Sequence, residues 1–181
     1  MKQNVKSTTF APQLYSNFVK KKIMKNYFFN GRRMPNIFER AMMYNVQTND
    51  ILKKYKSLSD DEKKFITKHP VTSYQFYNNS KKAESAASKF EGLTNGYGDA
   101  IRHCYWCALN KMDAGKDSNL AEEYGNAHEN KPNNSAKSMD LHNNSVGYSL
   151  GIKAIENEWS DDELLKNVIK AADNGILQIG L

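Results

Sequence analysis

The chain has 181 residues, enough to bury the core of one domain, and it carries a formal net charge of +6 with 11% aromatic residues. No apolar run approaches the length of a transmembrane helix, and the N-terminal segment lacks the apolar stretch of a secretory signal. Only two cysteines are present, which excludes a disulfide framework. We therefore expect an unprocessed chain without a transmembrane segment, either cytoplasmic or exported by a specialised secretion system.

The positive charge is concentrated towards the N-terminus. Residues 1–69 hold 15 of the 26 Lys and Arg but 5 of the 20 Asp and Glu, and no acid precedes Glu39. Aromatic residues are interleaved with these cations, which suits nucleic acid, a membrane surface or an acidic protein. We predict a basic, aromatic-rich helical arm or subdomain over residues 1–57, in which residues 1–40 either bind an anionic partner or form a solvated arm.

Apolar residues recur at three- and four-residue spacing along the chain, and nowhere do they alternate over a convincing length. This pattern predicts an all-α fold, a compact bundle of about six to eight helices. The first two predicted helices cover about residues 12–27 and 37–55, and residues 32–35 separate them.

A short helix is predicted next, because Ser59 and Glu62 form the S-x-x-E pattern of a capping box. It should end before Pro70, and a longer helix should follow over about residues 71–90. Further helices are predicted over about residues 99–114, 119–129 and 135–155, and from a second capping box at Ser160 to about residue 174. We assign residues 58–181 to one helical domain that bears the chemical motifs.

Residues 99–147 contain three of the four histidines. Asp99 and His103 are one helical turn apart, close enough for the carboxylate to fix the tautomer of the imidazole. His128 shares a face with small residues that would let another helix approach, and Glu129 ends the same helix. A polar stripe follows on the next helix, formed by Asp140, Asn143, Asn144 and Gly147 at i, i+3, i+4 and i+7.

Three antiparallel helices would bring these side chains into one cleft. His103, His128, Glu129 and Asp140 are then candidate ligands for a divalent metal such as zinc, which would activate water. Without a metal, His103 oriented by Asp99 could act as general base while Arg102 stabilises a developing negative charge. A buried structural network of polar groups is the alternative interpretation of the same residues.

Cys104 and Cys107 have the C-x-x-C spacing of redox and zinc sites, but both lie inside a helical pattern. A reactive thiol pair needs the low pKa of a helix start, and a zinc site of this kind needs two more ligands. We therefore expect both cysteines to be buried as small apolar residues.

Three motifs together carry a resemblance to a known family. They are D-x-x-R-H-x-x-W at residues 99–106, G-x-A-H-E at 125–129 and M-D-x-x-N-N-x-x-G at 139–147. The chain from about residue 58 to 181 resembles a bacterial all-α domain of unknown function, found alone and at the C-terminal ends of polymorphic toxin-like and wall-associated polypeptides. The resemblance implies functional positions at Asp99, Arg102, His103, His128, Glu129, Asp140, Asn143 and Asn144.

This chain departs from that family at three places. Cys104 and Cys107 stand where small residues such as Ala are expected, and His142 stands where relatives accept an aromatic residue, so His142 is not expected to be a ligand. The basic region before about residue 50 lies outside the resemblance.

Two functional hypotheses follow. The first is a bacterial effector or toxin-type hydrolase that uses a His/Asp/Glu cleft on an unassigned substrate, and in a toxin context an immunity protein would be its partner. The second is a non-catalytic helical binding module whose basic N-terminal region binds nucleic acid, a membrane or an acidic protein.

Overall fold

The computed structural model of the chain describes residues 28–29, 32–33, 55, 57–130 and 136–180. The chain divides into two units, residues 1–56 and residues 57–181. Apart from residue 55, the helices that we predicted over about residues 12–27 and 37–55 lie outside the described residues.

Within the first unit, the described residues form one short antiparallel pair of strands. Strand β1 (Phe28–Phe29) pairs with strand β2 (Arg32–Arg33), with Phe28 opposite Arg33. We did not predict this hairpin, because strands of two residues are too short to show alternation. The signal lies between them in the sequence, where Asn30-Gly31 is a pair typical of two-residue hairpin turns.

The second unit is all-α, which confirms the predicted fold class. Its described residues form six helices, which are α1 (Asp60–Lys68), α2 (Pro70–Ala87), α3 (Tyr97–Ala114), α4 (Leu120–Glu129), α5 (Lys137–Glu156) and α6 (Asp161–Asp173). Each overlaps a predicted helix. No helix among the described residues has the length and apolar character needed to cross a bilayer.

Both predicted capping boxes are confirmed. The Ser59 hydroxyl accepts from the backbone N–H of Glu62, and the Glu62 carboxylate accepts from the backbone N–H of Ser59. The same reciprocal pair joins Ser160 and Glu163. Each pair satisfies N–H groups that the first turn of a helix leaves unbonded, so these residues determine where α1 and α6 begin.

Helix α3 is the central helix of the second unit and packs against α2, α4, α5 and α6. Every residue from 98 to 111 is buried except Arg102, which is half-buried. The apolar face of the helix, which includes Ile101 and Leu109, is buried. The opposite face, with Asp99 and His103, is buried as well, because α4 and α5 cover it.

Cys104 and Cys107 are free thiols inside this helix, and both are buried. Burial raises the pKa of the Cys104 thiol to about 12 and raises that of Cys107 well above its ordinary value. Neither belongs to the group of potential metal ligands found among the described residues. The prediction that both cysteines are packing residues is confirmed.

Two glycines let α5 approach α3 closely. A Cβ atom added at Gly147 would lie 2.3 Å from the carbonyl oxygen of Cys104, and one added at Gly151 would lie 2.6 Å from that of Ala108. Both distances are shorter than non-bonded atoms tolerate, so only glycine allows this separation of the helices. The contact brings the polar start of α5, including Asp140, against α3.

We predict that Gly147→Ala lowers the free energy of unfolding. Alanine favours the helix by about 1 kcal/mol over glycine, but its Cβ would meet the carbonyl of Cys104, which cannot move without separating the helices. Overpacking of this kind typically costs about 1–3 kcal/mol or more, so urea denaturation should show a net loss. The control is Ser145→Ala at an exposed position of α5, expected within about 0.5 kcal/mol of wild type. An unchanged or higher value for Gly147→Ala would contradict the close approach.

Candidate functional site

A pocket of about 420 Å³ lies where α3, α4 and α5 meet the loop of residues 88–96. Its walls combine loop residues with charged side chains from the three helices. The lining residues are Leu93, Thr94, Asn95, Asp99, Arg102, His103, His128, Glu129, Ala136 and Asp140. Six of the eight predicted site residues therefore line one pocket, and the predicted convergence of three helices is present.

His103 lies between carboxylates on both sides of its ring. Its Nδ1 is 3.4 Å from Oε1 of Glu129, while its Nε2 is 3.5 Å from Oδ1 of Asp99 and 3.7 Å from Oδ1 of Asp140. These four side chains are at most 8% exposed. The two ring nitrogens therefore face different groups, Glu129 at one edge and the two aspartates at the other.

Charge and burial act in opposite directions on this cluster. Burial alone would lower the pKa of His103, but the nearby carboxylates of Glu129 and Asp140 outweigh it and raise the pKa above its ordinary value. For Glu129, burial alone would raise the pKa, but His103, the charge of His128 and a hydrogen bond from Asn144 lower it. Both shifts favour the charged forms, an imidazolium of His103 beside the carboxylate of Glu129.

Asp99 is held by two partners. Its Oδ2 accepts from the backbone N–H of Asn95 at 2.7 Å, and its Oδ1 accepts from the guanidinium of Arg102. The Nη2 of Arg102 also lies 3.3 Å from Nε2 of His103, and the Arg102 side chain is 40% exposed. The expected contact between Asp99 and His103 is present, with Oδ1 of Asp99 3.5 Å from Nε2, and Glu129 is a second carboxylate at Nδ1. Asp99 also anchors Arg102.

His128 takes its partner from α1. Its Nδ1 lies 2.8 Å from Oε1 of Glu62, whose side chain is 0% exposed. The rings of Trp106 and His128 form a T-shaped contact with centroids 5.0 Å apart, and the centroids of His103 and His128 are 6.3 Å apart. Glu62 was not predicted as a site residue, because its place in the S-x-x-E pattern already explained it and His128 is 66 residues away.

The two predicted asparagines have different positions. Asn144 donates from Nδ2 to Oε1 of Glu129 at 3.2 Å, and so supports the carboxylate that faces His103. Asn143 donates to the backbone carbonyl of Gln178 at 2.9 Å and accepts from its N–H at 2.8 Å. Asn143 therefore attaches the C-terminal segment to α5 and does not line the pocket. His142 makes a similar contact at 2.9 Å with the backbone carbonyl of Ile176.

Three pocket residues can offer ligands to a metal ion. Atoms of Asp99, His103 and Asp140 all lie within 4.8 Å of one another. The predicted set of ligands shares His103 and Asp140 with this group. Of the other two predicted ligands, Glu129 faces the second ring nitrogen of His103, and His128 is hydrogen-bonded to Glu62. A histidine that binds a metal usually donates its second N–H to a carboxylate, and Glu129 has that position relative to His103.

Residues 63–176 match a protein-family model described as "Domain of unknown function (DUF6973)". Comparison with curated proteins gave no match, and neither did comparison with solved structures. The matched range contains every residue that lines the pocket. Glu62 lies one residue before it.

We predict that Glu129→Gln lowers the pKa of His103. The substitution removes the negatively charged carboxylate that raises this pKa, and leaves the burial that lowers it. The measurement is an NMR titration of the histidine ring protons. Glu123→Gln, on the exposed face of the same helix, is the matched control and should leave the titration of His103 unchanged. An equal pKa for His103 in Glu129→Gln and wild type would contradict the pairing.

Proposed function

Since the chain belongs to DUF6973, a family of domains of unknown function, we propose its reaction from the pocket: it is a hydrolase in which His103 transfers the proton. One observation carries the proposal. Nδ1 of His103 faces Glu129 while Nε2 faces Asp99 and Asp140 in the same pocket. An imidazole whose first nitrogen is held by a carboxylate can exchange a proton at the second, which is the arrangement that general acid–base catalysis needs.

Arg102 supplies the positive charge of the proposed reaction. Its guanidinium lies against Asp99 and near Nε2 of His103, and its side chain is 40% exposed. A cation fixed beside the proton-transfer atom can stabilise negative charge that develops on a substrate oxygen. Phosphoester-containing polymers, lipids and cell-wall precursors all place such an oxygen at the bond that is hydrolysed.

In a second form of the same proposal, the hydrolase uses a divalent cation. Among the pocket-lining residues, the carboxylates of Asp99, Glu129 and Asp140 stand against the single guanidinium of Arg102. Asp99, His103 and Asp140 are the residues that would hold a metal such as zinc, and the bound metal would lower the pKa of water. Arg102 contacts two of these residues, so metal binding would require its exposed side chain to move.

The effector or toxin context, with an immunity protein as partner, is also part of the proposal. It rests on the resemblance of the three motifs.

The basic region provides the second candidate function, binding of an anionic partner. The observation that favours it is the interleaving of aromatic residues with Lys and Arg before Glu39, which includes the backbone pairs Phe28–Arg33 and Phe29–Arg32 of the two strands.

We predict that His103→Ala reduces hydrolysis by about 10²–10⁴-fold, the range typical of a lost proton-transfer group. The protein is screened on phosphoester, carboxyl ester and peptidoglycan substrates, and is expressed in the bacterial cytoplasm and periplasm to compare toxicity. Asp140→Ala and His128→Ala should also lose activity. His142→Ala, a histidine of α5 outside the pocket, is the control. If every variant folds and none differs from wild type in hydrolysis or toxicity, the enzyme hypothesis is wrong.

We predict that Asp140→Asn weakens binding of zinc or manganese measured by isothermal titration calorimetry. The change removes one of the two carboxylate charges among the three potential ligands and keeps the size of the side chain. Glu123→Gln serves again as the exposed acidic control. Equal binding by Asp140→Asn and wild type would place the metal elsewhere, and hydrolysis that persists after chelation would favour the metal-free form of the mechanism.

A further inference from the structure

The chain contains the same tetrapeptide twice, and the two copies allow a direct comparison. Ser-Asp-Asp-Glu occurs at residues 59–62, before α1, and at residues 160–163, before α6. Both copies form a complete capping box. Glu163 is exposed, as a capping carboxylate normally can be, whereas Glu62 is 0% exposed. Capping therefore does not explain why Glu62 is buried.

The second oxygen of Glu62 accounts for the difference. Oε2 accepts the backbone N–H of Ser59, while Oε1 lies 2.8 Å from Nδ1 of His128. At Glu163, the contacts of Oε2 are with the backbone N–H and the hydroxyl of Ser160. A buried carboxylate is costly unless it is paired and hydrogen-bonded. His128 is the partner that compensates for the burial of Glu62.

Helix α1 is also fixed to the end of α4 beside this histidine. The hydroxyl of Ser59 donates to the backbone carbonyl of Ala127 at 3.0 Å. The ring of His128 is therefore held by the start of α1 on one side and by Trp106 on another. It is 32% exposed and lines the pocket, and Nε2 is the ring nitrogen that does not face Glu62.

We propose that Glu62 is a positioning residue that keeps the proton of His128 on Nδ1, so that Nε2 acts as a second proton-transfer atom in the pocket of His103. The inference rests on the proposed hydrolase function and extends it. Each of the two imidazoles then has a glutamate at Nδ1, Glu129 for His103 and Glu62 for His128. Their ring centroids are 6.3 Å apart, so both can reach one bound substrate group.

The two rings divide the proton transfers of ester hydrolysis between them. Nε2 of His128 takes a proton from water as the water oxygen forms its bond to the phosphorus or carbonyl carbon. The bond from that centre to the leaving oxygen breaks, and the leaving oxygen takes a proton from Nε2 of the His103 imidazolium. One water is consumed, and exchange with solvent returns a proton from His128 to His103, so the protons balance.

The test is the tautomer of His128 in the full chain, read from long-range ¹H–¹⁵N NMR spectra at a pH where the ring is neutral. In wild type we expect the proton on Nδ1. Gln also serves at this position of a capping box. In Glu62→Gln, the single amide oxygen would therefore accept the backbone N–H of Ser59. The amide NH₂ group then faces Nδ1, where two donors oppose each other, and the tautomer should shift towards Nε2–H.

The matched control is Glu163→Gln, the same substitution in the same tetrapeptide. It should leave the spectrum of His128 unchanged. A wild-type His128 with its proton on Nε2 would overturn the proposal without any variant. An unchanged tautomer in Glu62→Gln would overturn it as well.

Hydrolysis gives an independent measurement on any substrate that wild type cleaves. Glu62→Gln should lower kcat by about 10-fold or more with little change in KM, and Glu163→Gln should change neither. If wild type cleaves nothing, the hydrolase proposal fails while the tautomer still decides the role of Glu62. If wild type is active and the tautomer does not respond, only the positioning role of Glu62 is lost.

Discussion

The burial of His103 between carboxylates is the interaction on which the pocket depends. Glu129 from α4 and Asp140 from α5 reach a ring that stands on α3, so three helices close on one imidazole. A buried imidazolium without these acids would be expensive, and buried acids without it would repel one another. The raised pKa of His103 and the lowered pKa of Glu129 are two results of the same contact. Packing and chemistry are therefore coupled at this residue.

The glycines of α5 make that contact geometrically possible. Gly147 and Gly151 carry no Cβ against the backbone of α3, so α5 lies close enough for Asp140 to approach His103. On the other side, α1 contributes Glu62, which reaches His128 from outside the stretch of sequence that holds the motifs. The pocket thus depends on the close approach of α5 to α3 and on α1, which lies outside the motif-bearing stretch of the sequence.

The helices could be predicted from the sequence because their signals are local. Apolar spacing located the six helices of the second unit, and the S-x-x-E patterns located the starts of α1 and α6. The carboxylate that faces Nδ1 of His103 could not be chosen locally, since Asp99 has the correct spacing on the same helix whereas Glu129 comes from another. Asn143 shows the same limit, because its partner is the backbone of Gln178. Partners between helices depend on packing angles that a periodic pattern does not contain.

The central claim is that the buried acids serve the pocket's chemistry rather than the stability of the fold. It is tested most directly by the free energy of unfolding of Asp140→Asn, measured by urea denaturation beside wild type. Asp99 and Glu129 would still place two negative charges against His103 and Arg102, and sites kept for function usually add nothing to stability. We therefore expect a value equal to wild type within about 0.5 kcal/mol, or higher. A loss of about 1–3 kcal/mol would identify Asp140 as a structural member of a buried polar network and would contradict the claim.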